Sequence, residues 1–152
     1  MPTRWHGKPT SAALKFMADA EQQKVQAWLD RVAEDLASAN KLISEFEPEF
    51  ASAISFHAQQ FAEKALKAYL VYKGRQIEKT HDLTRLITMC SEFDASFRDL
   101  EDLADLITPL AAITRYPDDW RQLSESETRD ILEKAKRILN FVKSKFDPKL
   151  ID

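Results

Sequence analysis

Phe50-Ala-Ser-Ala-Ile-Ser-Phe-His-Ala-Gln-Gln-Phe-Ala-Glu-Lys-Ala-Leu-Lys-Ala-Tyr-Leu-Val-Tyr72 decides how the rest of the chain is read. At 100° per residue, Phe50, Ile54, Phe61, Ala65, Ala68 and Tyr72 share one face, and Gly74 follows where a C-terminal glycine cap belongs. The spacing therefore predicts a helix from about Glu49 to Lys73. Alanines at 51, 53, 58, 62, 65 and 68 let neighbouring helices approach closely, which marks this helix as the central, most buried one.

The pattern extends in both directions. Upstream, Val25, Trp28, Leu29, Val32, Leu36, Ala39, Leu42 and Ile43 follow the 3.6 period and predict a helix ending before Pro48. Residues 1–22, with two prolines, a glycine and no sustained period, read as a tail that orders only against the bundle. Downstream, Thr80 can N-cap a third helix with Asp82 in its first turn, and Leu83, Leu86, Ile87 and Cys90 form its apolar face. Ser96 with Asp99 resembles a capping box for a fourth helix through Ile113, which holds Pro109. Ser124 with Glu127 is a second box, opening a last helix from Ile131 to Phe146 that closes before Pro148. The fold class expected is all-α, an up-and-down bundle of four to five helices over residues 23–147, with a short C-terminal tail at 148–152.

Composition narrows the function classes. A formal charge of -3 provides no global field to gather nucleic acid or anionic lipid, so such binding would need a local patch. Charge is uneven, with acids concentrated in 92–105 and bases in 129–149; solvated helix faces account for this, and a weak basic footprint is the other reading. A single cysteine, Cys90, excludes an internal disulfide or a cysteine-built zinc site and fits a reducing cytoplasm. No signal-like start or window long enough to span a membrane is present. Phosphate-loop, nucleophile-elbow, paired-histidine and Glu-x-x-His signatures are missing as well, so no metal and no cofactor is implied.

Polar residues in unusual places remain. His57 and Lys64, seven apart, are nearly superimposed at the edge of the apolar face of helix two. They read either as a satisfied histidine and a snorkelling lysine paired with Glu63 or its neighbours, or as part of a site. If helices two and four end at one pole where helix three begins, then Tyr72, Gly74, Arg75, His81, Asp82, Arg115 and Tyr116 gather there. Such a group makes an anion site, or a polar cap with Asp82 pairing Arg115. His57 lies ~24 Å along the helix from Lys73, and on that basis His57 and His81 are not expected to share one small site.

Phe56-His-Ala-Gln-Gln-Phe-Ala-Glu-Lys-Ala-Leu-Lys-Ala-Tyr-Leu70, then Lys79-Thr-His-Asp-Leu83 with Leu86, then Arg115-Tyr-Pro117, with Trp28 and Asp35 upstream, resemble the HEPN family over roughly residues 25–145. The resemblance implies a helical bundle, commonly a homodimer, often partnered by a minimal nucleotidyltransferase, with a nucleotide or RNA as possible ligand. Many HEPN proteins are metal-independent ribonucleases with a late Arg-x(4-6)-His motif. Here Arg115 is followed by Tyr-Pro-Asp-Asp-Trp-Arg-Gln, without a histidine, so the general acid/base is missing from that place. A formal match from Arg75 to His81 spans the end of helix two and the start of helix three, the wrong place for the motif. The expected ligand-binding residues are Arg115, Tyr116, His81 and Asp82, extended by Lys64 and His57, with no catalytic residue; the other class is an RNA-cleaving toxin of a toxin-antitoxin pair whose base is His81 or His57.

Overall fold

The computed structural model describes residues 10–113, 117–118 and 120–150. Of these, 79% are helical and no strand occurs among them, so the bundle expectation holds. The helices are α1 (Ser11–Ser44), α2 (Ala51–Tyr72), α3 (Leu83–Ser91), α4 (Glu101–Ile113) and α5 (Glu125–Lys143), with short 3-10 turns at Pro48–Phe50, Ala95–Leu100 and Pro148–Leu150.

Helix α2 packs against all four others. Its alanines at 51, 58, 62, 65 and 68 are buried with Ile54, Phe61, Leu66, Tyr69 and Leu70, and of the six alanines only Ala53 faces water. Phe61, wholly buried in this close packing, would leave a cavity costing about 3–5 kcal/mol if cut to alanine. The C-terminus closes in a Schellman motif: Gly74 N donates to Val71 O at 2.9 Å and Arg75 N to Leu70 O at 2.9 Å. Gly74 has φ +73°, and a Cβ there would meet nothing within 4 Å, so the backbone angle rather than space asks for glycine.

Helix α1 starts fourteen residues before Val25, where the apolar period had put its beginning. Thr10 Oγ1 accepts a hydrogen bond from Ala13 N at 3.1 Å, an N-cap followed by an alanine-rich turn. The first turns need no apolar period because α2 does not reach them. Two further boundaries differ from expectation. Asp82, not Thr80, caps α3 by accepting from Thr84 N at 3.0 Å, while Thr80 Oγ1 accepts from Asp82 N. Asp94, not Ser96, opens the next segment, accepting from Ser96 N and Oγ, and that segment is a 3-10 turn before α4 begins at Glu101. Pro109 lies inside α4 as expected; it and Asp105, whose carbonyl the missing N–H leaves free, are both exposed, so water can satisfy that carbonyl. The Ser124–Glu127 capping box forms as read, with bonds of 3.0 and 3.1 Å.

Contacts fix the directions. Trp28 and Asp35 of α1 meet Lys67 and Lys64 of α2, so these two helices are antiparallel. Gln122 Nε2 donates to Pro48 O at the α1–α2 turn, and Phe146, just past α5, lies 5.0 Å from the Tyr72 ring, so α5 runs parallel to α2. Phe97 lies 4.4 Å from the Tyr69 ring, which puts the start of α4 beside the end of α2. A helix of about 20 Å that begins there leads away from that pole, so helices two and four do not end together. Helix α3 sits in the connection between them, and the segment leading to it doubles back along α2.

Candidate functional site

Two carboxylates are buried between α1, α2 and the returning connection. Asp35 lies on the buried face of α1 between Val32 and Ala39, only 7% exposed. A carboxylate there must be paired to offset its lost hydration. Lys64 Nζ donates to its Oδ2 at 2.6 Å and His57 Nδ1 meets its Oδ1 at 2.8 Å, so one acid on α1 clamps two side chains of α2. The seven-residue spacing that superimposes His57 and Lys64 is what allows a single partner to serve both. Lys64 therefore pairs across to Asp35, not to Glu63.

Glu63, 2% exposed, is built the same way. His81 Nδ1 stands 2.6 Å from its Oε1, and Lys67 Nζ 3.5 Å from the same oxygen. The Lys67 ammonium also lies 5.6 Å from the centroid of the Trp28 ring, within cation–π range. Each carboxylate thus takes one imidazole and one ammonium. A carboxylate accepts and does not donate, so in both pairs Nδ1 is the hydrogen-bearing nitrogen held by the acid, and Nε2 is the ring nitrogen turned away from it. Exposure separates the two groups: the His57 side chain is 26% exposed and His81 75%.

The structure divides the expected site residues. His57 and Lys64 come together on Asp35; His81 joins Glu63; Asp82 is engaged in capping α3. Arg115 and Tyr116 lie outside the described residues. The separation expected between His57 and His81 also changes, because His81 sits beside Glu63, six residues after His57 on α2, and not at the level of Lys73. Arg75 pairs with Glu92, so the formal Arg75–His81 match is not assembled as a unit. Glu63 and Lys67 were missed as site residues. Their signal is a polar row on α2 at i, i+4 spacing, Ser55–Gln59–Glu63–Lys67, all buried, in which Ser55 Oγ and Gln59 Oε1 have no hydrogen-bond partner among the described residues.

Other groups with chemical potential are quiet. Burial pushes the Cys90 thiol up to about 12, so it does not act as a nucleophile near neutral pH. No group of three or more histidine, cysteine or acidic side chains placed to hold a metal occurs among the described residues. No helix among them is long and apolar enough to cross a membrane. Beside Trp28 an open groove of about 420 Å³ runs between α1 and the connection after α2, lined by Lys24, Val71, Gly74, Arg75 and Ile77.

No curated protein matches the chain. Among solved structures, TT1696 from Thermus thermophilus is similar at 26% identity and a TM-score of 0.70, over 81% of this chain and 98% of that one. ST0689, an archaeal HEPN homologue, shares the fold at 24% identity and a TM-score of 0.61, over 80% of this chain and 96% of its own. The HEPN domain family model matches residues 25–145, the span that carries both carboxylate groups, and the chain belongs to the HEPN family.

Proposed function

We propose that this chain is a non-catalytic HEPN binding module of the cytoplasm, a homodimer that takes a nucleotide or other anionic ligand, or docks a minimal nucleotidyltransferase, on its His81 side. The observation that carries this reading is His81 itself: largely exposed, yet held through Nδ1 by a carboxylate that is 2% exposed. An exposed imidazole fixed in orientation loses little side-chain freedom when it binds. The adjoining groove adds the Trp28 indole and, on its walls, Lys24 paired with Glu21 and Arg75 paired with Glu92, cations that a ring carrying negative charge would reach by displacing those carboxylates. Arg115 and Tyr116 belong to the same proposal as further anion-pairing and stacking groups. Calorimetric titration with a nucleoside triphosphate tests it: Arg115→Ala weakens binding by about 1.5–3 kcal/mol, the range of a charge-assisted hydrogen bond, with the melting temperature unchanged. Unchanged affinity with a collapsed melting temperature would reduce Arg115 to a structural cap.

One observation favours a second reading, an RNA-cleaving toxin of a toxin-antitoxin pair. Two histidines, each oriented by a carboxylate, lie along one stretch of α2 with lysines beside them, and a metal-independent phosphodiester cleavage needs such acid/base groups. The expectation from the first reading is that the purified chain leaves single-stranded RNA intact in the absence of metal. Cleavage that disappears in His81→Ala would install the second reading instead.

A further inference from the structure

Only one of the two ring nitrogens of His81 is engaged. Nδ1 lies 2.6 Å from Glu63 Oε1, whereas Nε2 makes no hydrogen bond to a described residue, on a side chain that is 75% exposed. In the neutral ring the proton sits on Nδ1, where the acid holds it, so the lone pair is on Nε2. Such a nitrogen is a nucleophile that needs no further base, because it has no proton to lose when it attacks.

The surroundings suit a reaction that puts positive charge on the ring. Attack through Nε2 leaves an imidazolium still protonated at Nδ1, and the Glu63 carboxylate already faces that edge. Glu63 is 2% exposed, so water screens little of its charge. The backbone is anchored too: the next residue, Asp82, donates its N–H to Thr80 Oγ1 and accepts from Thr84 N, which occupies the one acid adjoining His81 in sequence. Lys67 Nζ, 3.5 Å from the same Glu63 oxygen, keeps a cation near the ring for an incoming anionic group. His57 offers a comparison on the same helix. Its Nδ1 is also held by a carboxylate, but it is 26% exposed, stacks edge-on with Phe56 at 5.6 Å, and shares its acid with Lys64 at 2.6 Å.

We propose that His81 Nε2 is a phosphoryl-acceptor site, with Glu63 as its positioning residue. The Nε2 lone pair forms an N–P bond to the terminal phosphorus of a phosphoanhydride or phosphoramidate donor. The bond from that phosphorus to its leaving group breaks, and the electron pair departs with the donor's oxygen or, from phosphoramidate, with ammonia. The ring keeps its Nδ1 proton, nothing is oxidised or reduced, and the Glu63 carboxylate offsets the positive charge of the phosphorylated ring. This goes beyond ligand binding and does not depend on it, since it asks only for the open Nε2 and the acid behind the ring.

Incubation of the full chain with phosphoramidate at neutral pH, followed by peptide mass spectrometry and phosphorus NMR, tests this. The expected product carries a phosphoryl group on His81 and none on His57, attached through Nε2, lost in acid and stable in alkali. It should form about tenfold or more faster than phosphorylated N-acetylhistidine under the same conditions, and His81→Ala should abolish it. Glu63→Gln keeps an acceptor for Nδ1–H but removes the charge, so it should slow the reaction about tenfold or more in a chain whose melting curve shows it folded. A rate no faster than that of N-acetylhistidine, attachment through Nδ1, or an unchanged rate in folded Glu63→Gln overturns the proposal. If Glu63→Gln does not fold, the wild-type rate and attachment site decide it alone. Phosphoramidate carries no base, so the outcome stands apart from nucleotide binding.

Discussion

The Asp35 group and the Glu63 group are made of the same parts and differ in how far the fold covers them. Asp35 joins two long helices, and both of its partners on α2 are largely covered. Glu63 joins α2 to a connecting segment, and its imidazole partner is mostly in water. The difference teaches that burial of the carboxylate alone does not assign a role. What matters is whether the partner it orients is covered by the fold or left for a ligand.

The contrast breaks most visibly at the buried acid. Asp35→Ala leaves Lys64 without its counter-charge and His57 without its hydrogen-bond acceptor in a partly dry seam, and should cost about 3–5 kcal/mol in urea denaturation, the usual loss on removing one member of a buried pair. A loss under about 1 kcal/mol would mean that the seam is wetter than its burial indicates. Next in size, His57→Ala leaves Asp35 with one bond fewer and should cost about 1–3 kcal/mol, whereas His81→Ala, exposed at its own end, should stay within about 1 kcal/mol of wild type. Equal losses would erase the distinction between the two groups.

A smaller effect lies away from both. Hydrogen bonding from the Ser96 hydroxyl, then from Lys145, holds Asp94 at about 2, and hydrogen bonding from Arg121, then from Ser124 N, holds Glu127 at about 2. Both folded values are depressed below their ordinary 3.8 and 4.5. Their contribution to stability is therefore complete above about pH 4.5 and fades as pH falls towards 2. Denaturation curves from pH 5 to pH 2 should lose part of that slope in Arg121→Ala, and an unchanged slope would count against the Glu127 pairing. The smallest effect is kinetic silence at Cys90, whose thiol should react with iodoacetamide at neutral pH only as the fold opens. Rapid labelling of the native chain would contradict its burial.

Much of the fold was legible because the apolar period of α2 is long and its alanines mark it as central. Boundaries failed where a different signal governs. The start of α1 is set by Thr10 and alanine propensity, and a rule that looks for apolar period ignores a helix with no neighbour. Asp82 and Asp94 each cap with a short side chain two residues from the amide they accept, competing with Thr80 and Ser96, and sequence does not rank such neighbours. The pairing of His57 with Lys64 followed from helix geometry. Its partner Asp35 did not, since it comes from another helix whose register depends on packing. His81 was misplaced for a related reason: the connection from Lys73 to Asp82 doubles back, and loop length says nothing about direction.

The central claim is that the Glu63–His81 group serves a ligand and the Asp35–His57 group serves the fold. Calorimetric titration of a nucleoside triphosphate into His81→Ala and into His57→Ala, at a temperature where both are folded, tests it most directly. The account predicts that His81→Ala loses tenfold or more in affinity, about 1.5–3 kcal/mol for a lost charge-assisted hydrogen bond, while His57→Ala binds within twofold of wild type. Binding retained in His81→Ala, or lost equally in both, would contradict it.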